Sequence, residues 1–196
     1  MSSSIDFFHA DIAQAKEWYG NTTNTTGVPL IVHSTEVAQI LVDIQNEIFE
    51  FKDYDFLIAL RSSLAHDVLE DTGVSADTIA AIWGMAVLQT IVELSNSKGD
   101  SDFNAYIEFL SADASDITRV VKLADILANV RNSLRQFEEI NISWMQTFWI
   151  PLLHRYEATV LVANSMSFPD TSDILRLEIK KGIDALEQRI RNSDSQ

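Results

Sequence analysis

The chain has 196 residues, of which 46% are hydrophobic, and it contains no cysteine. Its 29 acidic residues outnumber the 14 basic ones, and the resulting net charge of −15 repels nucleic acid polymers and anionic membranes. No apolar run approaches the roughly 18 residues of a membrane span, and the first residues lack the basic and apolar regions of a signal peptide. The lack of cysteine excludes thiol nucleophiles and iron–sulfur clusters. We therefore expect a cytoplasmic globular protein without a nucleic acid or membrane partner.

The first half of the chain predicts helices separated by few breaks. The polar run 21–27, rich in Asn and Thr, predicts a surface loop. After it, apolar residues recur at helical spacing from Val37 to Ile48, with Ser34 available as an N-cap. The segment 56–69, which is more uniformly apolar than the one before it, predicts a buried central helix. Two shorter helices are predicted after it, over 75–84 and 85–94.

The second half continues the helical pattern. A helix is predicted over 117–134, and two long amphipathic stretches follow at 143–164 and 170–191. Pro151 falls inside the first of these stretches, which predicts a kink or a helix start there. The alternation of apolar and polar residues that is typical of strands is absent. The sequence therefore predicts one all-α domain of about eight to ten helices.

The densest group of functional side chains is His66, Asp67, Glu70 and Asp71. On a continuous helix these residues would share one side of its C-terminal end, where carboxylates repel each other and oppose the helix macrodipole. A bound cation would relieve this repulsion, and it would let a strongly acidic protein accept a phosphorylated substrate. A solvated acidic helix end that stops at Gly73 explains the same residues, so their spacing leaves both interpretations open.

Three segments in order resemble the signature stretches of the HD-domain hydrolases of the RelA/SpoT group. They are GVPLIVHSTEVAQIL at 27–41, LAHDVLEDT at 64–72 and VKLADILAN at 121–129. Trp83-Gly84 and the run VELSNSK at 92–98 resemble the stretch that this group places after its His-Asp helix.

The match covers about residues 18–135 and leaves the predicted helices at about 143–192 outside it. The chain length resembles that of the single-domain small alarmone hydrolases. The resemblance therefore implies one HD-type helical bundle over residues 1–196.

The resemblance also implies roles for individual residues. His33, His66, Asp67 and Asp125 match the metal ligands of the group. On their own, His33 is also typical of a helix cap and Asp125 of a charge at a helix edge. Two imidazoles and two carboxylates suit a divalent first-row cation such as Mn²⁺. The remaining matches are Glu70 and Asp71, which would position or deprotonate the attacking water, and Asn129, Lys98 and Arg131, which would bind the substrate.

The implied reaction is metal-dependent hydrolysis of the 3′-pyrophosphate of a ppGpp-like alarmone, with release of pyrophosphate. The expected partner is a small phosphorylated nucleotide, and a homo-oligomer is possible.

Several positions depart from the pattern of the group. The group carries an Arg-Lys pair before its Pro-x-x-x-His segment, and residues 21–26 contain no basic side chain. Leu30 replaces an aromatic residue, and Ile126 and Ala128 replace polar or basic ones. Three interpretations follow: an alarmone with a different base, another nucleotide as substrate of an HD phosphohydrolase, or a metal-binding interaction module with weak catalysis.

Overall fold

The computed structural model describes residues 3–24, 27–95, 103–160 and 167–193. These residues form helices, with no β-strand among them. The helices are α1 (Ser3–Tyr19), α2 (Leu30–Ile48), α3 (Asp53–Ala65), α4 (Val68–Asp71), α5 (Ala76–Trp83), α6 (Met85–Leu94), α7 (Phe103–Ala112), α8 (Asp116–Arg135), α9, which joins Ile142–Trp144, Met145–Trp149 and Ile150–Ala158, and α10 (Pro169–Ser193). The predicted all-α fold is confirmed.

Helix α8 is the central element of the bundle. It packs against α2, α3, α6 and α10, and most of its side chains are buried. Two hydrophobic clusters form the core: one is built mainly from α8 with α2 and α10, and the other mainly from α1, α3, α5 and α6. Leu60 and Ile117 pack against both clusters. This packing brings the first turns of α2 and the end of α3 beside the middle of α8.

The predicted continuous helix over 56–69 is wrong, because α3 ends at Ala65 and α4 begins at Val68. His66 Nδ1 lies 2.8 Å from the Ser63 carbonyl oxygen, which can only accept a hydrogen bond. The Asp67 carbonyl accepts hydrogen bonds from the next turn and so starts α4. The four residues of the His-Asp-Glu-Asp group therefore lie on a turn and a separate short helix.

The C-terminal helices also differ in detail from the prediction. Helix α9 runs through Pro151, and the irregularity is a π-helical turn at Met145–Trp149 just before it. Helix α10 approaches α8 at Gly182, where a Cβ atom would lie 2.3 Å from Val130 Cγ1. Glycine is therefore required for this close helix contact. Within the described ranges, no helix is long and apolar enough to span a membrane.

Candidate metal centre

Three potential ligands from distant parts of the chain meet beside α8. His33 lies on α2, His66 on the turn between α3 and α4, and Asp125 in the middle of α8. One ligand atom from each lies within 4.8 Å of the others. His33 Nε2 is 3.0 Å from Asp125 Oδ1, and His66 Nε2 is 3.6 Å from the same oxygen. We call these three residues the His–Asp cluster.

The ring of His66 shows that the cluster suits a cation. Because its Nδ1 donates to the Ser63 carbonyl, the neutral ring presents the lone pair of Nε2 to the cluster. Nε2 is buried without a hydrogen bond of good geometry, although Asp67 Oδ2 lies 3.2 Å away. A lone pair that faces two carboxylates is repelled unless a proton or a metal ion lies between them. The donor set of imidazole nitrogens and carboxylate oxygens therefore fits a divalent metal ion.

The protonation of the cluster leads to the same conclusion. Burial disfavours the charged imidazolium, but the carboxylates of Asp67 and Asp125 outweigh burial and raise the pKa of His66 to about 9. Burial also opposes the ionised form of Asp67, and the neighbouring His66 nevertheless lowers its pKa. These carboxylates thus favour a positive charge at the Nε2 side of His66.

Asp125 uses its two carboxylate oxygens for different purposes. Oδ1 accepts from Asn129 Nδ2 at 2.8 Å and faces the two histidines. Oδ2 accepts from Lys122 Nζ at 2.9 Å. Burial alone would raise the pKa of Asp125, but the Lys122 ammonium and His33 hold it well below its usual range. One oxygen of an ionised Asp125 therefore faces His33 and His66.

Lys122 is a partly buried residue whose importance the sequence interpretation missed. Its ammonium lies 6.0 Å from the ring centroid of Tyr106 and 5.8 Å from that of Tyr156, which is within cation–π range. Burial opposes its charge, but Asp125 raises the pKa of Lys122 well above its usual value. The spacing of Lys122 and Asp125 in the sequence could have indicated this pair, since a lysine three residues before an aspartate on a helix can form an ion pair with that aspartate.

The remaining acidic candidates border the cluster. Asp67 adjoins it through His66. Glu70 and Asp71 follow on α4 and are half-buried. Burial is the main cause that raises the pKa of Tyr106 and of Tyr19, and the charges of Glu70 and Asp71 add small contributions at Tyr106 and Tyr19, respectively.

A cleft of about 420 Å³ adjoins the cluster at Asn129. Its size is within the usual range for small-molecule sites. The rings of Trp144 and Trp149 stack in it, with centroids 6.1 Å apart. Its lining residues are Asn24, Asn129, Asn132, Ser133, Gln136, Glu139, Ile140, Asn141, Trp144, Phe148 and Trp149. In the part of the chain that the structure describes, no Lys or Arg lines this amide–aromatic cleft.

Among the predicted substrate-binding residues, Arg131 does not line this cleft. Arg131 follows Asn129 by two residues on α8 and so points to another side of the helix. It lines a groove against α10 together with Glu178 and Lys181. Lys98 lies outside the described residues.

The all-helical bundle with a buried His–Asp cluster defines the class as an HD-domain fold. Comparison with solved structures agrees with this class: a metazoan ortholog of SpoT, whose report states that it hydrolyses ppGpp, superimposes with a TM-score of 0.68 at 20% identity. The superposition covers 89% of this chain and 93% of that chain.

Two curated relatives are similar in sequence. The guanosine-3′,5′-bis(diphosphate) 3′-pyrophosphohydrolase of Vibrio cholerae is 27% identical over 163 residues, 77% of this chain and 22% of the relative. The bifunctional (p)ppGpp synthase/hydrolase SpoT of Escherichia coli K12 is 29% identical over 153 residues, 72% of this chain and 20% of the relative. No family model matches the chain. The chain thus spans about a fifth of these relatives, and its resemblance to RelA/SpoT-type hydrolases is confirmed.

Proposed function

We propose that the chain is a metal-dependent 3′-pyrophosphohydrolase that acts on a guanosine or adenosine alarmone of the (p)ppGpp type. The main support is His66 Nε2 in the His–Asp cluster, which is buried without a hydrogen bond of good geometry. This atom faces two carboxylates at a point suited to a cation. The adjoining amide–aromatic cleft has the volume expected for a small ligand. The names of the similar proteins supply the substrate class.

His33, His66, Asp67 and Asp125 would hold the metal ion, which we propose to be Mn²⁺ or another divalent first-row cation. When bound, such an ion lowers the pKa of water and neutralises phosphate charge. Lys122 would keep Asp125 ionised and would leave one of its oxygens free to face the histidines.

In the proposed reaction, Glu70 or Asp71 accepts a proton from the attacking water. The water oxygen bonds to the phosphorus atom that carries the 3′ oxygen. The bond between this phosphorus and the 3′ oxygen then breaks. Pyrophosphate leaves, and the 3′ oxygen takes up a proton to become a hydroxyl group. Asn129, which bonds Asp125 and also lines the cleft, would contact the substrate beside the metal centre.

The lining of the cleft favours a second candidate, in which another nucleotide is the substrate. Amide groups and indole rings can recognise a base by hydrogen bonding and stacking without relying on a cationic side chain.

The predicted Lys98 contact remains a proposal, as does the cytoplasmic location that a cysteine-free chain and a soluble nucleotide substrate favour. A metal-binding interaction module with weak catalysis is the third candidate.

The test is pyrophosphate release from ppGpp and from ppApp by the purified protein with Mn²⁺. We expect release from at least one substrate and none from the double variant His66→Ala/Asp67→Ala. The preferred substrate would identify the base that the cleft accepts. If both substrates stay intact while Mn²⁺ is bound, alarmone hydrolysis is wrong and a wider nucleotide screen separates the other two candidates.

A further inference from the structure

Tyr19 is a buried residue that the proposed reaction does not use. It ends α1 and is only 1% exposed. Its ring packs in the hydrophobic cluster that contains Leu30, Leu64 and Ala65, which flank the two histidine-bearing segments. A phenylalanine ring would fill the same space, so packing does not explain the hydroxyl. A buried hydroxyl is costly unless it is hydrogen-bonded.

The Tyr19 oxygen has partners in both histidine-bearing segments. Ser34 Oγ donates to it at 3.1 Å, and Ser34 directly follows His33. The backbone of Asp67, directly after His66, lies close enough to the phenol to influence its ionisation. The Tyr19 hydroxyl is therefore bonded to the residue that follows His33 and lies beside the residue that follows His66.

These contacts lie at a break between two helices. Helix α3 ends at Ala65 and α4 begins at Val68, so the turn that carries His66 and Asp67 lies outside both helices. One anchor is the bond from His66 Nδ1 to the Ser63 carbonyl. The Tyr19 hydroxyl is a second anchor, and it also links the turn to α2.

We propose that the Tyr19 hydroxyl is a positioning group that holds the His33 and His66 segments in the alignment required for metal binding. The proposal rests on the metal site of the proposed function. Tyr19 acts through Ser34 and the Asp67 backbone, and it contacts neither the substrate nor the metal ion. Burial, together with the charges of Asp67 and Asp71, raises the pKa of Tyr19 far above its usual value, so the hydroxyl stays neutral.

The test compares Tyr19→Phe with Thr90→Val, since each removes one buried hydroxyl with little change in shape. Thr90 Oγ1 donates to the Ala86 carbonyl on α6, away from the cluster. Mn²⁺ affinity is measured from the electron paramagnetic resonance signal of free Mn²⁺, and the stability of the metal-free protein from thermal unfolding. We expect Tyr19→Phe to weaken Mn²⁺ binding about 10- to 100-fold, the usual effect of losing a residue that supports a ligand. Thr90→Val should bind Mn²⁺ like the wild type.

Ser34→Ala provides a second variant that leaves the Tyr19 side chain in place. If Ser34 and Tyr19 act through their shared hydrogen bond, removing the second hydroxyl should add little to the loss caused by removing the first. The fold-loss of Mn²⁺ affinity in the double variant Tyr19→Phe/Ser34→Ala should therefore be smaller than the product of the two single fold-losses. Wild-type Mn²⁺ affinity in Tyr19→Phe would overturn the proposal, as would a loss of thermal stability with unchanged affinity.

The affinity measurement also separates this proposal from the proposed function. A wild type that binds Mn²⁺ without hydrolysing ppGpp or ppApp contradicts the reaction, and the affinity ratio between wild type and Tyr19→Phe still decides the role of the hydroxyl. Equal Mn²⁺ affinities of the wild type and Tyr19→Phe in an active enzyme would contradict the positioning role of Tyr19 and leave the proposed reaction standing.

Discussion

The described part of the molecule contains two groups in which histidine meets carboxylates, and the surroundings of these groups differ. In the His–Asp cluster, His66 and Asp125 are buried and their ligand atoms converge with that of His33. On the surface, His154 lies between α9 and α10, with Glu157 Oε2 3.1 Å from Nδ1 and Glu187 Oε1 2.8 Å from Nε2. The His154 side chain is 47% exposed.

The comparison shows that residue types alone do not make a metal site. The two glutamates approach opposite nitrogens of His154, so each nitrogen has a partner and the ligand atoms share no common point. In the cluster, His66 Nε2 is left without a hydrogen bond and faces two carboxylates. Convergence and burial distinguish the proposed metal centre from an ordinary surface ion pair.

The sharpest way to break this comparison is to remove one histidine from each group. His66→Ala should weaken Mn²⁺ binding on the order of a hundredfold or more and abolish hydrolysis, because a ligand is lost. His154→Ala should retain both. Isothermal titration calorimetry measures the Mn²⁺ affinity of both variants, and a pyrophosphate-release assay measures their hydrolysis rates. Equal losses in the two variants would remove the distinction between the groups.

A second pair of variants separates chemistry from metal binding. Glu70→Gln should lower kcat about 10²- to 10⁴-fold, the usual contribution of a general base, while Mn²⁺ affinity stays near that of the wild type. Glu187→Gln, in the surface group, should leave kcat unchanged. If Asp71→Asn loses activity and Glu70→Gln does not, the role of the base passes to Asp71.

The contrast between buried and exposed charge predicts a difference in stability. Lys122→Met leaves Asp125 without its buried partner and should lower the free energy of unfolding of the metal-free protein by about 3 to 5 kcal/mol. Lys181 pairs with Glu178 at 2.8 Å with 60% of its side chain exposed, so Lys181→Met should cost less than about 1 kcal/mol. Urea denaturation measures both variants. Added Mn²⁺ should restore part of the stability lost in Lys122→Met, because it supplies positive charge beside Asp125.

The two groups should also respond differently to pH. Metal binding must displace the proton that the pKa of about 9 keeps on His66 at neutral pH. Titration in buffers of different ionisation enthalpy should show release of about one proton per Mn²⁺ at pH 7, and affinity that rises toward pH 9. Binding without proton release would contradict the position of the metal at His66.

His154 should show the smallest effect. Hydrogen bonds that its ring donates to Glu187 and Glu157 raise the pKa of His154 above the unfolded value of 6.5. Protonated His154 therefore stabilises the fold fully below pH 6.5, and this contribution is lost as the pH rises through the folded-state pKa. Thermal unfolding of His154→Gln should lack this pH dependence. Unchanged pH dependence would show that the surface group contributes nothing to stability.

The sequence predicted most of the fold because helical periodicity and few breakers extend along most of the chain. It could not predict the break after Ala65, since residues 56–69 are uniformly favourable for a helix. The break depends on the Ser63 carbonyl, which accepts from a buried histidine ring.

For the candidate site, the motifs pointed to His33, His66 and Asp125, whose convergence depends on tertiary packing alone. The Trp144 and Trp149 stack and the anchor at Tyr19 lie outside the matched motifs or between them. Arg131 lies near a motif but lines the groove against α10 and not the amide–aromatic cleft, and its predicted substrate contact stays a prediction.

The central claim is that the buried His–Asp cluster, and not the surface group, holds a divalent metal ion. An anomalous difference map from crystals grown with Mn²⁺ tests it most directly. We predict one strong peak within bonding distance of His33 Nε2, His66 Nε2 and Asp125 Oδ1, and no peak at His154. A map with no peak at the cluster, or with its strongest peak between His154 and Glu187, would contradict the account.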